Sequence, residues 1–236
     1  MGSVDRSVYD PAVNTAQRMM WRPQAFGRRN ARDISDPIIE PMWRGDRVIV
    51  VGGGDDVGVY DTDGAPFMGE IDTIVQHLRT AVLAEEVVVD GYLTHQATPQ
   101  VGTVYLAGVE LPTVGQMTSQ MLVGRGLSAR AMTRLEGDAP EEDKNNPLAF
   151  VAVDLIVLDG ESLVDIPLLE RKRQLDSVIR ETDVVRHGAY IRPPVDTWLA
   201  SWRSLGFHEL AYKAANGRYT PGEINPTWAI ARIPTT

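Results

Sequence analysis

Short runs of apolar residues, separated by glycine-rich or polar turns, recur from residue 46 to the end of the chain. The runs RVIVV and VGVY flank residues 52–56, and this arrangement predicts an antiparallel hairpin. The strongly apolar run FVAVDLIVL at 150–158 predicts a central strand. Other runs of strand character lie at 86–95, 101–109, 183–191, 207–214 and 227–233.

Apolar residues at helical spacing predict an amphipathic helix before the second strand group. They are Met68, Ile71, Ile74, Val75, Leu78 and Val82. A second helix is predicted to begin with Asp165 near its N-cap and Pro167 in its first turn. A third should end near Gly206, with Trp198 and Trp202 one turn apart in the core.

Two segments in the middle of the chain give weaker predictions. Residues 114–123 predict a further helix, and the acidic stretch 136–147 predicts a mobile loop. Hairpins and helices interleave without strict alternation of strand and helix. The pattern therefore predicts an α+β fold rather than a doubly wound sheet.

Composition narrows the class of protein. The chain has 236 residues, of which 43% are hydrophobic and 23% charged, as in an ordinary globular protein. No apolar run is long enough for a membrane span, and the first ten residues lack the apolar core of a signal peptide. We therefore expect no membrane association and a cytoplasmic location. The absence of cysteine excludes disulfides and thiolate chemistry.

Charge bears on possible partners. The net charge of −9 predicts that any binding to nucleic acid is weak, because such binding depends on neutralised phosphates. Residues 1–36 are polar and contain Arg22, Arg28, Arg29 and Arg32. They are predicted to form an N-terminal arm that either wraps the domain in solvent or contacts phosphate. The remaining residues, 37–236, are expected to form one domain.

The stretch EPMWRGDR at residues 40–47 resembles the first motif of the adenylation (nucleotidyltransferase) domain of ATP-dependent DNA ligases, E-P-K-W-D-G-x-R. In that family the lysine attacks the α-phosphate of ATP and becomes adenylated. Met42 occupies the lysine position here, and Arg44 occupies that of the aspartate. A thioether cannot act as an amine nucleophile, so the resemblance implies a fold whose principal catalytic group is replaced.

Later motifs follow in the family's order. D-G-E corresponds to Asp90-Gly91-Tyr92, and F-x-x-F-D corresponds to residues 150–154, where the resemblance gives Phe150 the role of stacking on adenine. The segment DIPLLERKRQL at 165–175 is similar to DLPLLERRELL of the ligases. These matches imply the α+β, ATP-grasp-like nucleotidyltransferase fold, with two mainly antiparallel sheets flanked by helices.

The last motifs keep some cations and lose others. E-G-L-V-A-K corresponds to HELAYK at 208–213, so His208 replaces a metal-binding glutamate and Lys213 keeps the phosphate-contacting position. W-x-K-x-K corresponds to WAIAR at 228–232, with Ile230 in place of one lysine and Arg232 in place of the other. No C-terminal OB-fold is expected after this motif.

The resemblance implies a nucleotide site and leaves its activity open. The residues expected to bind nucleotide are Glu40, Arg47, Phe150, Lys213 and Arg232, with no catalytic residue. ATP is the nucleotide implied. Tyr92 and His208, in place of two carboxylates, argue against binding of Mg²⁺. From the residues alone, a core position is the more common explanation of Phe150. Glu40 and Arg47 are alternatively explained as pairing with neighbouring Arg44 and Asp46.

Three functions remain open. The first is a ligase-like domain without catalysis, retained to bind nucleotide, nucleic acid or a separate protein, in a role linked to DNA repair. The second is a minimal DNA or RNA ligase-like enzyme with another nucleophile. The only lysines are Lys144, in a polar loop, Lys172, on a predicted surface helix, and Lys213. The third is a purely structural subunit.

Overall fold

The computed structural model describes residues 21–53, 55–96, 104–106, 109–111 and 146–234, with 104–106 and 109–111 described by backbone alone. The described strands are β1 Ala25–Phe26, β2 Pro37–Pro41, β3 Asp46–Gly53, β4 Asp56–Tyr60, β5 Val87–Thr94, β6 Val104–Leu106, β7 Val109–Leu111, β8 Ala149–Leu158, β9 Glu161–Ser162, β10 Val185–His187, β11 Glu209–Ala214, β12 Ile224–Asn225 and β13 Trp228–Arg232. The described helices are α1 Asp72–Ala81, α2 Leu168–Val178, α3 Asp196–Ser204 and a 3-10 turn at Ala31–Asp33.

The larger sheet has the strand order β10-β8-β5-β3-β4, with β9 attached to β8. Its pairings are antiparallel except that β10 runs parallel to β8. The predicted hairpin is confirmed as β3 and β4, and the predicted central strand is confirmed as β8, which lies inside the sheet. One face of this sheet packs against α1 and α2 through Ile74, Leu78 and Leu175.

The smaller sheet has the order β13-β11-β2, and both pairings are antiparallel. Trp198 and Trp202 of α3 are buried in a cluster with Ile39 of β2 and Leu210 of β11, which confirms their predicted place in the core. Residues 42–45 join β2 of this sheet directly to β3 of the larger one. The first motif therefore lies at the junction of the two sheets, and the α+β fold is confirmed.

The helices follow the predictions with one difference at a terminus. Helix α1 buries Ile74 and Leu78 as expected, and α3 is followed by Gly206 at φ +82°. Helix α2 starts at Leu168, so Pro167 is its N-cap and does not lie in its first turn as predicted, and it makes no side-chain cap. Asp165 instead pairs with Arg218 at 2.7 Å.

Two predicted segments cannot be compared with the structure. The helix expected at 114–123 lies outside the described residues, as does the loop expected at 136–147 except for its last two residues. Within the described parts of the chain, no helix combines the length and apolar character that crossing a membrane requires.

Candidate functional site

The loop that carries the first motif is held at each residue. Met42 donates its backbone N–H to the Glu209 carbonyl at 2.9 Å, and the Trp43 ring packs edge-on against Phe207 at 4.8 Å. Gly45 has φ +123°, and a Cβ there would overlap the carbonyl oxygen of Leu93. Only glycine therefore fits this turn. Met42 is partly buried against the core beside the smaller sheet.

Glu40, on β2, lies between two lysine ammonium groups. Its Oε1 lies 2.7 Å from Nζ of Lys172, and its Oε2 lies 2.7 Å from Nζ of Lys213. All three side chains are buried. Burial by itself raises the pKa of Glu40, but the charges and hydrogen bonds of the two lysines outweigh it, so the pKa lies below its usual value. The carboxylate is therefore ionised and paired with two internal cations, with a hydrogen bond from Lys213 to Oε2.

The prediction that Lys172 lies on a surface helix is wrong. Its side chain is 2% exposed, because the face of α2 that carries it turns inward toward Glu40 and toward the ring of Tyr190, 5.0 Å from Nζ. Pairing of Glu40 with Arg44 or Asp46 is likewise not what the structure shows. A local interpretation overlooked partners more than 100 residues away in the chain.

Lys213 is the second cation on Glu40. Its Nζ lies 4.1 Å from the ring centroid of Trp228, its cross-strand partner on β13. Burial lowers the pKa of Lys213 and outweighs the opposing effect of Glu40. The amine is thus enclosed by a carboxylate and an indole.

Arg47, on β3, links the two sheets. Its guanidinium forms two hydrogen bonds to Asp90, Nε to Oδ1 at 3.0 Å and Nη2 to Oδ2 at 2.7 Å. It lies 5.8 Å from the ring of Tyr92 and 5.9 Å from that of Trp228. Tyr219 donates its hydroxyl to the same Asp90 at 2.8 Å. Asp90, the first residue of the D-G-Y motif, therefore supports Arg47.

We define the inter-sheet site as Glu40, Arg47, Tyr92, Lys213 and Trp228, which contact one another in a continuous chain. The structure thus brings together three of the predicted site residues. It leaves Phe150 and Arg232 apart from them. Arg232 lies on the exposed end of β13, opposite Glu209 of β11.

Phe150 lies in the core of the larger sheet. Its ring is fully buried and packs against Gly91, where a Cβ would overlap it. The core interpretation of this residue is thus the one the structure shows. A base could stack on the ring only if this part of the core opened.

Sequence reasoning missed Gln24 and Phe26, which lie in the predicted arm. Gln24 is fully buried, and its backbone carbonyl accepts a hydrogen bond from Arg47 Nη1 at 2.6 Å. Its side-chain oxygen accepts from Thr220 and from Asn225 at 2.8–3.1 Å. The Phe26 ring lies 5.2 Å from that of Trp228. The occurrence of aromatic residues such as Phe26 in a mainly polar segment was the available signal.

The residues present do not fit the Mg²⁺ ion that the resemblance implies. Tyr92 and His208 stand at the two carboxylate positions, and burial raises the pKa of Tyr92 to about 12, so its phenol is neutral. Asp90 is already bound to Arg47 and Tyr219. Mg²⁺ prefers carboxylate and water oxygens. Among the described residues, no group of three or more acidic or histidine side chains is arranged so that it could hold a metal ion.

Comparison with known proteins supports the resemblance to ATP-dependent DNA ligases. A family model for the ATP dependent DNA ligase domain matches residues 29–229. A DNA ligase of Thermococcus fumicolans is 23% identical over 212 residues, covering 85% of this chain and 34% of that protein. The chain therefore spans about a third of the length of this curated relative.

Solved structures show the same fold. The ligase domain of M. tuberculosis LigD gives a TM-score of 0.58 at 18% identity, covering 91% of this chain and 60% of that one. A mycobacterial DNA ligase D complexed with ATP and MES gives 0.58 at 17% identity, with the same coverage. A Lig E DNA ligase gives 0.50 at 10% identity, covering 89% of this chain and 68% of that one. The family model spans most of the chain, so the chain belongs to the ATP-dependent DNA ligase domain family.

Proposed function

We propose that this domain binds its ligand without forming the covalent nucleotide adduct, and that it is a non-catalytic member of its family. The observation that carries the proposal is the place of Met42. It occupies the nucleophile position on a loop whose backbone is fixed at Met42, Trp43 and Gly45. A thioether in a rigid loop supplies no nucleophilic nitrogen.

The described lysines support the proposal. Both Lys172 and Lys213 place their ammonium groups 2.7 Å from Glu40, and both are buried. Each amine is held against the Glu40 carboxylate inside the protein, so neither is free to approach a phosphate in this arrangement. Lys144 lies outside the described residues.

Incubation with α-labelled ATP or GTP and Mg²⁺, followed by denaturing electrophoresis, tests the proposal. We expect no label on the denatured chain. A DNA ligase with its lysine intact, assayed in parallel, establishes that labelling is detectable. Label retained on this chain would overturn the proposal.

The second candidate function is that of an enzyme in which Lys213 replaces the missing nucleophile. The observation in its favour is that burial lowers the pKa of Lys213. This hypothesis requires Glu40 to release the amine when nucleotide enters. It predicts labelling of the native chain and loss of the label in Lys213→Ala but not in a Lys144→Ala control.

The ligand of a non-catalytic domain is proposed from the relatives. One solved relative is complexed with ATP, and another is described as binding DNA with a minimal scaffold. We propose nucleotide or nucleic acid as the ligand class, bound weakly, and DNA repair as the setting. A separate protein partner, the cytoplasmic location and the arm at residues 1–36 remain predictions. Fluorescence titration with a labelled ATP analogue and with a nicked duplex tests the two ligands separately.

A further inference from the structure

Arg44 is the least satisfied charged group near the first motif. Its backbone N–H donates to Oε1 of Gln96 at 3.2 Å. Its side-chain Nε and Nη2 are buried and have no hydrogen-bond partner among the described residues. No described carboxylate lies within ion-pair distance of it, although the neighbouring Arg47 is paired in full with Asp90.

The unpaired atoms belong to one edge of the guanidinium. Nε and Nη2 donate in parallel and match two oxygens of a phosphate or carboxylate. Leaving a charged donor buried without a partner is costly, and a well-placed oxyanion removes that cost. Two unsatisfied donors on the same edge indicate one bidentate ligand better than two unrelated defects.

The backbone on both sides of Arg44 is rigid. Trp43 before it is packed against Phe207, and Gly45 after it fits only as glycine. Gln96, which holds the Arg44 backbone, is itself 4% exposed and bound through its own N–H to Oγ1 of Thr94 at 2.9 Å. The backbone from which the Arg44 side chain extends is therefore fixed, and this limits the positions that its donors can take.

We propose that Arg44 forms the centre of a phosphate-binding site, holding a phosphate group through Nε and Nη2. The site uses a cation where the family motif has an aspartate, so it is not inherited from the family pattern. The inference rests on the proposed function in one respect, namely that the loop binds rather than reacts. Phosphate of this kind is available as free inorganic phosphate or as the terminal phosphate of a nucleic acid.

Inorganic phosphate is the first probe, titrated against the full chain with sodium chloride matched in ionic strength. The Nε–H resonance of Arg44, assigned by its loss in Arg44→Gln, reports binding directly. We expect a saturable shift with phosphate and none with chloride. Arg44→Gln should weaken phosphate binding roughly 10- to 100-fold, the value of a charged hydrogen-bonded pair. Arg173→Gln, at an exposed position on α2, is the matched control and should leave binding unchanged.

The melting temperature distinguishes a ligand-binding role of Arg44 from a structural one. Without phosphate, Arg44→Gln should melt at the same temperature as the native chain or higher, because an unpaired buried charge is removed. A lower melting temperature would show that Arg44 is paired inside the protein and would overturn the proposal. Equal phosphate binding by the native chain and Arg44→Gln, or no saturable binding by either, would also overturn it.

The source of the phosphate is distinguished by duplexes with and without a 5′-phosphate. If the native chain binds the phosphorylated duplex more tightly and Arg44→Gln loses this preference, the ligand is a nucleic-acid end. If the native chain binds both duplexes equally and still binds inorganic phosphate, the ligand is the free ion. Acetate binding as well as phosphate would overturn the assignment of phosphate. None of these measurements depends on labelling with ATP, so failure of this inference is distinct from failure of the proposed function.

Discussion

At the scale of single residues, Glu40 decides how much of the inter-sheet site is available to a ligand. It is 3% exposed, and each of its oxygens faces one ammonium group at 2.7 Å. A ligand that needs this carboxylate must therefore break a buried ion pair. Removing only one partner of such a pair costs stability, because the charge of the other partner stays buried.

Glu40→Gln is expected to lower the free energy of unfolding by roughly 3–5 kcal/mol, because Lys172 and Lys213 would both lose their counter-charge. Urea unfolding at neutral pH measures the change. Glu170→Gln removes the carboxylate of an exposed pair with Arg173 and should cost less than about 1 kcal/mol. Similar losses for the two variants would contradict the central role of Glu40.

The ion pairs of Glu40 also lead us to expect that the free energy of unfolding depends on pH. The pKa of Glu40 is below its usual 4.5 in the folded chain, so the unfolded chain binds more protons just below pH 4.5. The stability that Glu40 contributes is present above that pH and is lost as the pH falls through the folded value. Unfolding measured from pH 7 down to pH 3.5 should show the native chain and Glu40→Gln converging, which a constant difference would contradict.

Restoring the nucleophile alone is expected to fail. Met42→Lys places an amine beside Arg44, and this like charge favours the neutral, nucleophilic form. That gain does not restore the carboxylates missing at Tyr92 and His208. We expect no labelling with α-labelled ATP in the single variant. The variant Met42→Lys, Arg44→Asp, Tyr92→Glu, His208→Glu is the matched reconstruction. Substantial labelling of Met42→Lys would show that one residue accounts for the loss.

At the scale of elements, the turn at Gly45 fixes how the two sheets are joined. Gly45→Ala should lower the free energy of unfolding by about 3 kcal/mol, because the new Cβ meets the Leu93 carbonyl. Gly160→Ala is the matched control, since Gly160 also has a positive φ but has no atom near its Cβ position. It should cost about 1–2 kcal/mol. Chemical denaturation compares them, and equal losses would show that the contact is relieved by a small shift.

Elements of the fold were predictable where the signal is local. Helix α1 and strand β8 carry their pattern in ten consecutive residues, so apolar periodicity locates both. The burial of Lys172 was not predictable, because it depends on how α2 is rotated against β2, a strand 130 residues earlier in the chain. Gln24 was missed for the same reason, since its partners Thr220 and Asn225 lie about 200 residues away.

At the scale of the whole molecule, the charge distribution governs any contact with nucleic acid. The net charge is −9, and Arg28, Arg29 and Arg32 are exposed in the described part of the arm. These side chains can neutralise only a few phosphates. Long-range electrostatics therefore oppose binding, while a local cationic surface permits a weak contact.

We accordingly expect binding to duplex DNA that is weak and salt-sensitive, with a shallow logarithmic slope of about −3 because only three arginines neutralise phosphates. The triple variant Arg28→Gln, Arg29→Gln, Arg32→Gln should remove most of that slope. Arg173→Gln, on the outer surface of α2, is the control and should keep it. Fluorescence anisotropy over a salt series measures both quantities. Nanomolar binding that persists at about 200 mM salt would contradict the prediction.

A fragment cut at residue 29, where the match to the family model begins, would lose Gln24 and Phe26. Arg47 would then lack its carbonyl acceptor, and Thr220 and Asn225 would lack the amide oxygen that joins them. Each is a buried or partly buried polar group left without its partner, at a cost of about 1–3 kcal/mol. Truncation at the family boundary therefore removes part of the domain's interior. A recombinant fragment must begin before Gln24 to retain these contacts.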